Sequence, residues 1–247
     1  MERKMNKMAF RKAQRKKAKL RLAITGASGS GKTYSALLLA FGLGGKIAMI
    51  DTENGSGDLY SSLGNYDICS VSAPYHPQKY IQAIHEAEQA GYDTVIIDSL
   101  SHAWSGEGGI LDIQGKVAST NKSANSYAAW RQVTPLQNRL VESILASPCH
   151  IIATMRSKTD YAMDKNERGY TEIRKVGLAP VQREGMDYEF GTVFDISLEH
   201  VAVASKDRTG LFDGNIPFTI SQETGKILRK WLDEGEDDTA TQEGGAA

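Results

Sequence analysis

The sequence has little cysteine and no long apolar run, and each absence excludes a class of protein. Its 247 residues include only Cys69 and Cys149, which lie far apart and form no metal-binding or redox motif. No apolar stretch approaches the roughly 20 residues that a membrane-spanning helix needs. The basic N-terminal stretch is not followed by the apolar core of a secretory signal. These features predict free thiols, no membrane partner and a cytoplasmic location.

The formal net charge is only -1, yet the two ends of the chain carry opposite charges. Residues 1–21 hold ten Lys and Arg against one acid, and residues 233–247 hold six acids and no base. A basic arm favours contact with a polyanion such as nucleic-acid phosphate, although a solubilising or subunit-docking extension is the alternative. The acidic end is interpreted as a solvated tail, with restraint of the basic arm or recruitment of a partner as alternatives. We divide the chain into a basic arm (1–19), a core (20–232) and an acidic flexible tail (233–247).

The most specific motif is a complete G-x-x-x-x-G-K-T phosphate-binding loop between an apolar strand and an alanine- and leucine-rich helix. Its residues are Gly26, Ala27, Ser28, Gly29, Ser30, Gly31, Lys32 and Thr33. Backbone N–H groups of such a loop surround phosphate oxygens, and the helix presents its positive N-terminal end to the same anion. We expect Lys32 to reach the β- and γ-phosphates and the Thr33 hydroxyl to bind Mg²⁺, and we include Tyr34 in the nucleotide-binding set.

Apolar, β-branched runs alternate with helical stretches, which predicts an α/β fold with a mostly parallel central sheet and crossover helices. The predicted strands after the first lie at residues 46–51, 93–98, 150–155, 193–198 and 201–205, and the predicted helices at residues 77–90 and 123–146. Residues 157–189 are charged and interrupted by glycine and proline, which predicts a loop or hairpin excursion. A last antiparallel hairpin is predicted at residues 218–227, with its turn at Glu223-Thr224-Gly225, and it leads into a short helix around Trp231.

Polar side chains follow several strands, at the edge where ligands bind in open α/β sheets. Asp98 follows Val95-Ile96-Ile97, the form of a Walker B acid that holds Mg²⁺, commonly through water. Glu53 can orient and polarise the water that attacks a γ-phosphate, with a helix cap or a solvated turn acid as the alternative. Thr154 and Arg156 are candidate sensors of the γ-phosphate.

Lys206 and Arg208 form a basic pair shortly before Gly210. Positive charge at a late strand end can reach a nucleotide bound by the neighbouring subunit. Where such a finger operates, it raises the rate of phosphoryl transfer by about 10³–10⁵. An ordinary basic turn is the alternative.

The order of these motifs resembles that of the RecA-like ATPases, which include RadA and the replicative helicases of the DnaB type. The resemblance rests on the phosphate-binding loop, Asp51-Thr52-Glu53, Val95-Ile96-Ile97-Asp98-Ser99, Thr154-Met155-Arg156 and Lys206-Asp207-Arg208-Thr209-Gly210. It covers about residues 20–231. The compact length and the segment 177–189 are similar to phage-encoded Sak-type single-strand annealing recombinases, which are core-only ATPases of the host cytoplasm.

The resemblance implies a RecA-like fold and hydrolysis of ATP with Mg²⁺ at the interfaces of a homo-oligomeric ring or filament. It also implies binding of single-stranded DNA to promote annealing or strand exchange, with a single-strand-binding protein as a further partner. Carried over by position, it assigns phosphate contact to Lys32, Mg²⁺ to Thr33 and Asp98, water activation to Glu53, and a finger acting between subunits to Lys206 and Arg208.

Two further points follow from the resemblance. Residues 101–122 and 157–189 occupy the positions of the family's two DNA-facing loops. RecA proper has a glutamine near the position of Thr154 that links γ-phosphate to DNA, and this chain lacks it. Arg156 is the candidate for that coupling here.

Two other functions compete with DNA recombination. A nucleotide-dependent assembly switch would act on protein partners without reading DNA. The six bases and seven acids of residues 157–189 suit a subunit interface about as well as a DNA-facing loop. A small-molecule kinase is the weaker rival, because such kinases use a mobile lid with arginines in cis.

Overall fold

The computed structural model describes residue 10 and residues 12–120, 126–165, 171–214 and 216–236, and within these ranges all side chains except those of residues 126 and 159–178. The strands are β1 (Arg21–Gly26), β2 (Ile47–Asp51), β3 (Asp67–Ser70), β4 (Thr94–Asp98), β5 (His150–Lys165), β6 (Thr171–Pro180), β7 (Thr192–Ile196) and β8 (Ala202–Asp207). The helices are α1 (Lys32–Leu43), α2 (Pro77–Gln89), α3 (Ser101–Ser105), α4 (Ile110–Thr120), α5 (Ser126–Ala146), α6 (Met186–Glu189) and α7 (Gln222–Asp233), with a 3₁₀ helix at Ser56–Leu63.

The strands form one mostly parallel sheet in the order β3-β2-β4-β5-β1-β7-β8. Strand β5 lies between β1 and β4, so the strand before the phosphate-binding loop and the strand that ends in Asp98 are not neighbours. Strand β8 is antiparallel to β7. The mixed α/β architecture with a mostly parallel central sheet is therefore as predicted, and it is that of a P-loop NTPase.

Side chains of the central strands alternate between two apolar layers. Val95 and Ile97 of β4 pack on the face covered by α2 and α5, whereas Ile96 packs on the face covered by α1 and α7. All five residues of β4 are buried, as expected for a parallel strand with helices on both faces. The two layers bury both faces of the central strands, and the polar side chains of the site lie at the carboxyl edge of the sheet.

The two stretches predicted to be DNA-facing loops, 101–122 and 157–189, have regular structure over most of their described residues. The first is largely helical, because α3 and α4 span most of residues 101–120, so it is not a loop. The second forms an antiparallel hairpin in which β5 extends beyond the sheet and pairs with β6. The hairpin alternative for residues 157–189 is thus confirmed up to Pro180, after which α6 follows.

The predicted hairpin at residues 218–227 is wrong, because α7 begins at Gln222. Ser221 caps this helix by accepting a hydrogen bond from the Thr224 N–H, while the Thr224 hydroxyl accepts one from the Ser221 N–H. Gly225, read from the sequence as a turn residue, lies where α7 crosses α1. A Cβ there would lie 2.3 Å from the Leu39 carbonyl oxygen and 2.8 Å from the Gly42 Cα. Close helix packing, not a turn, requires this glycine.

Part of the basic arm packs against the start of the acidic tail. Lys16 and Glu236 form a parallel β-bridge, and the Arg15 guanidinium lies 4.1 Å from the centre of the Trp231 ring. Residues 1–9 and 11 of the arm and 237–247 of the tail lie outside the described residues. Within the described ranges, no helix combines the length and apolar character needed to cross a bilayer.

Candidate nucleotide-binding site

Glycines shape the phosphate-binding loop between β1 and α1. A Cβ at Gly26 would lie 2.4 Å from the Ser30 Oγ and 2.7 Å from the Ile196 carbonyl oxygen, which leaves no room for a larger residue. Gly29 and Gly31 have φ angles of 81° and 88°, a left-handed conformation that glycine adopts without steric cost. Because Gly31 is the N-cap of α1, the loop leads directly into a helix N-terminus suited to an anion.

Lys32 lies over the loop that precedes it. Its ammonium group donates a hydrogen bond to the Ala27 carbonyl oxygen at 2.7 Å. Burial lowers the pKa of Lys32, and the negative charges of Asp98 and Glu53 oppose that shift. A partly dehydrated ammonium group interacts more strongly with an anionic ligand than an exposed one does, because the local dielectric constant is lower. This position suits contact with a phosphate group.

Asp98 is buried at the end of β4, with 2% of its surface exposed. One carboxylate oxygen accepts a hydrogen bond from the Thr33 hydroxyl at 2.6 Å, and the other accepts one from the Thr154 hydroxyl. Burial raises the pKa of Asp98, and the two hydroxyl donors only partly oppose the shift. Thr154, a predicted γ-phosphate sensor, therefore contacts the Walker B acid in this structure.

Thr33 and Asp98 fit Mg²⁺ that binds together with a nucleotide. Mg²⁺ takes oxygen ligands, keeps several waters and usually binds one or two protein groups plus phosphates. Among the described residues, no group of three or more His, Cys, Asp or Glu could hold a metal ion by itself. Thr33 supplies one hydroxyl and Asp98 one carboxylate, and both hydrogen-bond donors to that carboxylate are neutral hydroxyl groups. These two side chains match the one or two protein groups that bind Mg²⁺ together with phosphates. When bound, the ion would neutralise charge on the β- and γ-phosphates.

Glu53 and Arg156 form an ion pair across the pocket. The Arg156 Nε donates to Glu53 Oε1 at 3.0 Å, and an Nη donates to Oε2. Burial by itself would raise the pKa of Glu53, but the hydrogen bonds and the charge of Arg156 hold it below its usual value. The Glu53 backbone N–H donates to the Asp51 carboxylate at 2.7 Å, which fixes the turn after β2. Glu53 is thus an ionised carboxylate directed at the same space as Lys32.

A buried network behind the pocket joins the ends of β2 and β4. The Thr52 hydroxyl lies 2.8 Å from His102 Nδ1 and accepts a hydrogen bond from the Ser99 N–H at 2.8 Å. His102 stacks on Tyr75 with ring centres 4.7 Å apart, and burial lowers the pKa of His102. The sequence patterns did not indicate this network, because its members are separated by about 50 residues.

The phosphate-binding loop opens into a pocket of about 820 Å³, within the range of ligand sites. The predicted residues that line it are Ser28, Gly29, Gly31, Lys32, Thr33, Tyr34, Glu53, Asp98 and Arg156. Of the other predicted loop residues, Gly26 and Ser30 are buried and do not line the pocket. The Ala27 carbonyl oxygen accepts the hydrogen bond from Lys32. The structure therefore brings the predicted phosphate, Mg²⁺ and water-activating residues to one place.

Other residues of the pocket wall were not predicted. Tyr60 packs edge-to-face on Tyr34 at 6.0 Å, and His200 Nδ1 lies 3.0 Å from the Ser30 carbonyl oxygen. Thr219 and Ile220 complete this wall. These residues come from the 3₁₀ helix and from segments on both sides of β8, and they share no local motif that a sequence pattern could reveal.

Lys206 and Arg208 do not reach the pocket of their own chain. Asp207 pairs with Thr192 at the edge of the sheet opposite the phosphate-binding loop, because β8 runs antiparallel to β7. The Lys206 ammonium group donates to the carbonyl oxygens of Asp187 and Tyr188 at 3.0 and 2.7 Å. Arg208 is exposed. A role for the pair across a subunit interface stays a prediction.

Comparisons with known proteins agree with this geometry at the level of the family. The family of AAA domains matches residues 18–218, which includes β1 to β8 and every residue of the predicted site. No curated protein matches the chain. The family match covers most of the chain, the phosphate-binding loop is complete, and Asp98 lies within hydrogen-bond distance of Thr33 in that loop. The chain belongs to the AAA domain family and is a P-loop ATPase.

Proposed function

We propose that the protein is a RecA-like recombination ATPase that oligomerises and binds single-stranded DNA to promote annealing or strand exchange. The observation that carries the proposal is the Glu53–Arg156 ion pair, because it joins the turn after β2 to the last residue of β5 that pairs with β1, directly before the β5–β6 hairpin. The order of motifs along the chain and the basic arm give it further support.

The hydrolytic part of the proposal assigns a task to each residue of the pocket. Lys32 and the loop N–H groups hold the β- and γ-phosphates, where positive charge and fixed dipoles favour the transition state. Glu53, with its depressed pKa, stays ionised near neutral pH and polarises the attacking water. A γ-phosphate that attracts Arg156 would release the Glu53 carboxylate for this task.

The nucleic-acid part of the proposal follows from what lies beyond Arg156. The Val181 N–H donates to the Arg156 carbonyl oxygen at 2.6 Å, so Arg156 closes the base of the β5–β6 hairpin. The Arg156 N–H donates to the Ser101 hydroxyl at 2.9 Å, at the start of α3. A movement of Arg156 would therefore displace both the start of α3 and the base of the β5–β6 hairpin, which lie in the two segments predicted to face DNA. The basic arm supplies attraction to phosphate that does not depend on base sequence.

A gel-shift titration with a labelled single-stranded oligonucleotide at low salt tests the proposal. We expect binding that strengthens with ATP and Mg²⁺ and weakens steeply as salt rises, because Lys and Arg contacts release counterions. The Lys32→Ala variant should lose the ATP effect and keep the basal binding of the basic arm. Absence of any binding, with or without ATP, would refute the DNA function.

A nucleotide-dependent assembly switch is the second candidate, and the packing of the basic arm favours it. Arg15 contacts Trp231 and lies 3.5 Å from the Glu234 carboxylate, so part of the arm's charge is used within the chain. In that case, ATP should drive oligomerisation to the same extent with and without added DNA. Light scattering across an ATP titration distinguishes the two functions.

A further inference from the structure

The turn between β7 and β8 lies against the phosphate-binding loop. Gly26 at the end of β1 pairs with Ile196 at the end of β7 in a parallel register, so the residues after the two strands emerge side by side. His200 Nδ1 lies 3.0 Å from the Ser30 carbonyl oxygen. A Cβ added to Gly31 would lie 3.2 Å from the same nitrogen, so the imidazole ring packs directly on the Ser30–Gly31 peptide.

This contact determines which nitrogen of His200 carries the proton. A carbonyl oxygen can only accept a hydrogen bond, so Nδ1 donates, and the neutral ring has its lone pair on Nε2. Ser30 is fully buried, and the first hydrogen bond of α1 runs from the Ser35 N–H to the Gly31 carbonyl oxygen at 2.9 Å. The Ser30 carbonyl group therefore precedes the hydrogen-bond ladder of the helix, and His200 supplies its hydrogen bond.

The orientation of the Ser30 carbonyl group fixes that of the next N–H group. The C=O and N–H bonds of a trans peptide lie in one plane and point in opposite directions. With the Ser30 carbonyl oxygen directed at His200, the Gly31 N–H points away from the β7–β8 turn. Gly31, at a φ of 88°, is free to adopt other backbone angles, so this peptide could rotate if its carbonyl group were not held.

His200 occupies a backbone position that glycine adopts without steric cost. Its φ is 62°, in the left-handed region that is uncommon for other residues. The His200 N–H donates to the Ser197 carbonyl oxygen at 3.1 Å, and the Ser197 N–H donates to that of Val201 at 2.9 Å, so the turn is tight. A histidine where glycine would be less strained favours a function for its side chain.

We propose that His200 is a positioning residue of the phosphate-binding loop. Its Nδ1–H holds the Ser30 carbonyl group, so that the Gly31 N–H is directed at the phosphate chain before the nucleotide arrives. A dipole that is already oriented binds an anion without the cost of ordering the loop. The inference requires nucleotide binding by the loop, and it does not depend on the proposed binding of DNA.

Two substitutions that both suit the left-handed turn separate the hydrogen bond from the backbone. His200→Gly removes the donor, whereas His200→Asn keeps an amide N–H donor close to the position of Nδ1. Glycine and asparagine both tolerate a positive φ, so the Tm of each variant should stay close to that of the wild type. Thermal melting checks that the turn is intact in both variants.

ATP affinity is the first measurement, made by displacement of a fluorescent ATP analogue. We expect it to fall about 2- to 13-fold in His200→Gly, which corresponds to one net hydrogen bond, and to be largely restored in His200→Asn. Leu198→Ala is the matched control, because Leu198 is 61% exposed in the same turn and does not line the nucleotide pocket. Its affinity should equal that of the wild type.

A ligand series tests whether His200 acts on the phosphate chain. ATP, ADP and inorganic tripolyphosphate are titrated against the wild type and His200→Gly by calorimetry. The Gly31 N–H contacts phosphate and not the nucleoside, so all three ligands should weaken by a similar factor. A loss for ATP and ADP with unchanged affinity for tripolyphosphate would place His200 against the nucleoside and overturn the proposal.

Nitrogen NMR of the histidine rings supplies a measurement that needs no ligand. The chain has five histidines, so the His200 signals are assigned by their absence from the spectra of the His200 variants. The neutral ring of His200 should carry its proton on Nδ1. A neutral ring protonated on Nε2 would overturn the proposal, whatever the affinities of the variants.

The outcomes separate this inference from the proposed function. Unchanged ATP affinity in His200→Gly would overturn the inference. Equal losses in His200→Gly and His200→Asn would assign the effect to Nε2 or to the ring itself, and would overturn it as well. No ATP binding by the wild type would overturn both this inference and the hydrolytic part of the proposed function. ATP binding without binding of single-stranded DNA would overturn only the proposed DNA function.

Discussion

The Arg156 guanidinium group binds both oxygens of the Glu53 carboxylate, and so connects the turn after β2 with the base of the β5–β6 hairpin. A bidentate pair of this kind holds both partners in a defined geometry. It also keeps Glu53 ionised in a site where burial favours its neutral form. The proposed catalytic carboxylate therefore contacts the residue at the base of the hairpin.

The pH dependence of hydrolysis tests the role of this pair. Arg156 holds the pKa of Glu53 below its usual value, so the wild type should keep its active carboxylate well into the acidic range. In Arg156→Ala, only the weaker effects of His102 and Ser99 still oppose burial, so the pKa of Glu53 rises. We expect the acidic limb of kcat/KM to move to higher pH, measured by phosphate release. Arg156→Lys, which keeps the charge but not the bidentate geometry, should shift it less.

Substitution of Glu53 itself separates hydrolysis from binding. Glu53→Gln keeps the shape of the side chain and removes its capacity to accept a proton. We expect kcat to fall by about 10²- to 10⁴-fold, with ATP affinity close to that of the wild type. Equilibrium binding of a fluorescent ATP analogue and single-turnover hydrolysis measure the two quantities. Unchanged hydrolysis would exclude Glu53 as the general base.

Asp98→Asn should stabilise the nucleotide-free protein against unfolding but reduce the stabilisation that ATP and Mg²⁺ add. The pKa of Asp98 is raised in the folded state, so stability falls as pH rises from the unfolded pKa to the folded one. At neutral pH the substitution removes that cost and should raise the Tm of the nucleotide-free protein, by about 2–4 °C for each kcal/mol. The further rise in Tm on adding ATP and Mg²⁺ should be smaller than in the wild type. An equal rise in both proteins would contradict the Mg²⁺ assignment.

A mixing experiment tests whether Arg208 acts between subunits. Arg208→Ala and Lys32→Ala should each be inactive in ATP hydrolysis. When they are mixed and reassembled, a site is complete only where an intact loop meets an intact Arg208. Random assembly of equal amounts gives about a quarter of the wild-type activity if hydrolysis needs one residue from the neighbour. No recovery after reassembly argues against a finger in trans.

Two glycine substitutions should change stability in opposite directions. A Cβ at Gly225 collides with the backbone of α1, so Gly225→Ala should lower the free energy of unfolding by about 1–3 kcal/mol. At Gly115, inside α4, a Cβ meets no atom within 4 Å. Gly115→Ala should raise the free energy of unfolding by roughly 0.5–1 kcal/mol through helix propensity. Urea denaturation of both variants measures the difference.

These glycines illustrate what sequence patterns can and cannot predict here. The loop from Gly26 to Thr33 and the strand ending in Asp98 were predictable, because local spacing and apolar runs determine both. The helix around Trp231 was predicted as well, but the first turns of α7 were not, because Gly225 reads as a turn signal unless its contact with Gly42 is known. Tyr60 and His200 were unpredictable for the same reason: they reach the pocket through tertiary packing between distant segments.

Because β8 runs antiparallel to β7, the two edges of the sheet carry different functional residues. One edge of the sheet carries the nucleotide pocket, and the opposite edge carries Arg208. In the proposed assembly, the pocket edge of one subunit faces the Arg208 edge of the next, which is a head-to-tail contact that cannot close as a symmetric dimer. A closed ring of such subunits completes every nucleotide site. An open filament always leaves one pocket at its end without a neighbour's arginine, so its activity per subunit rises with length.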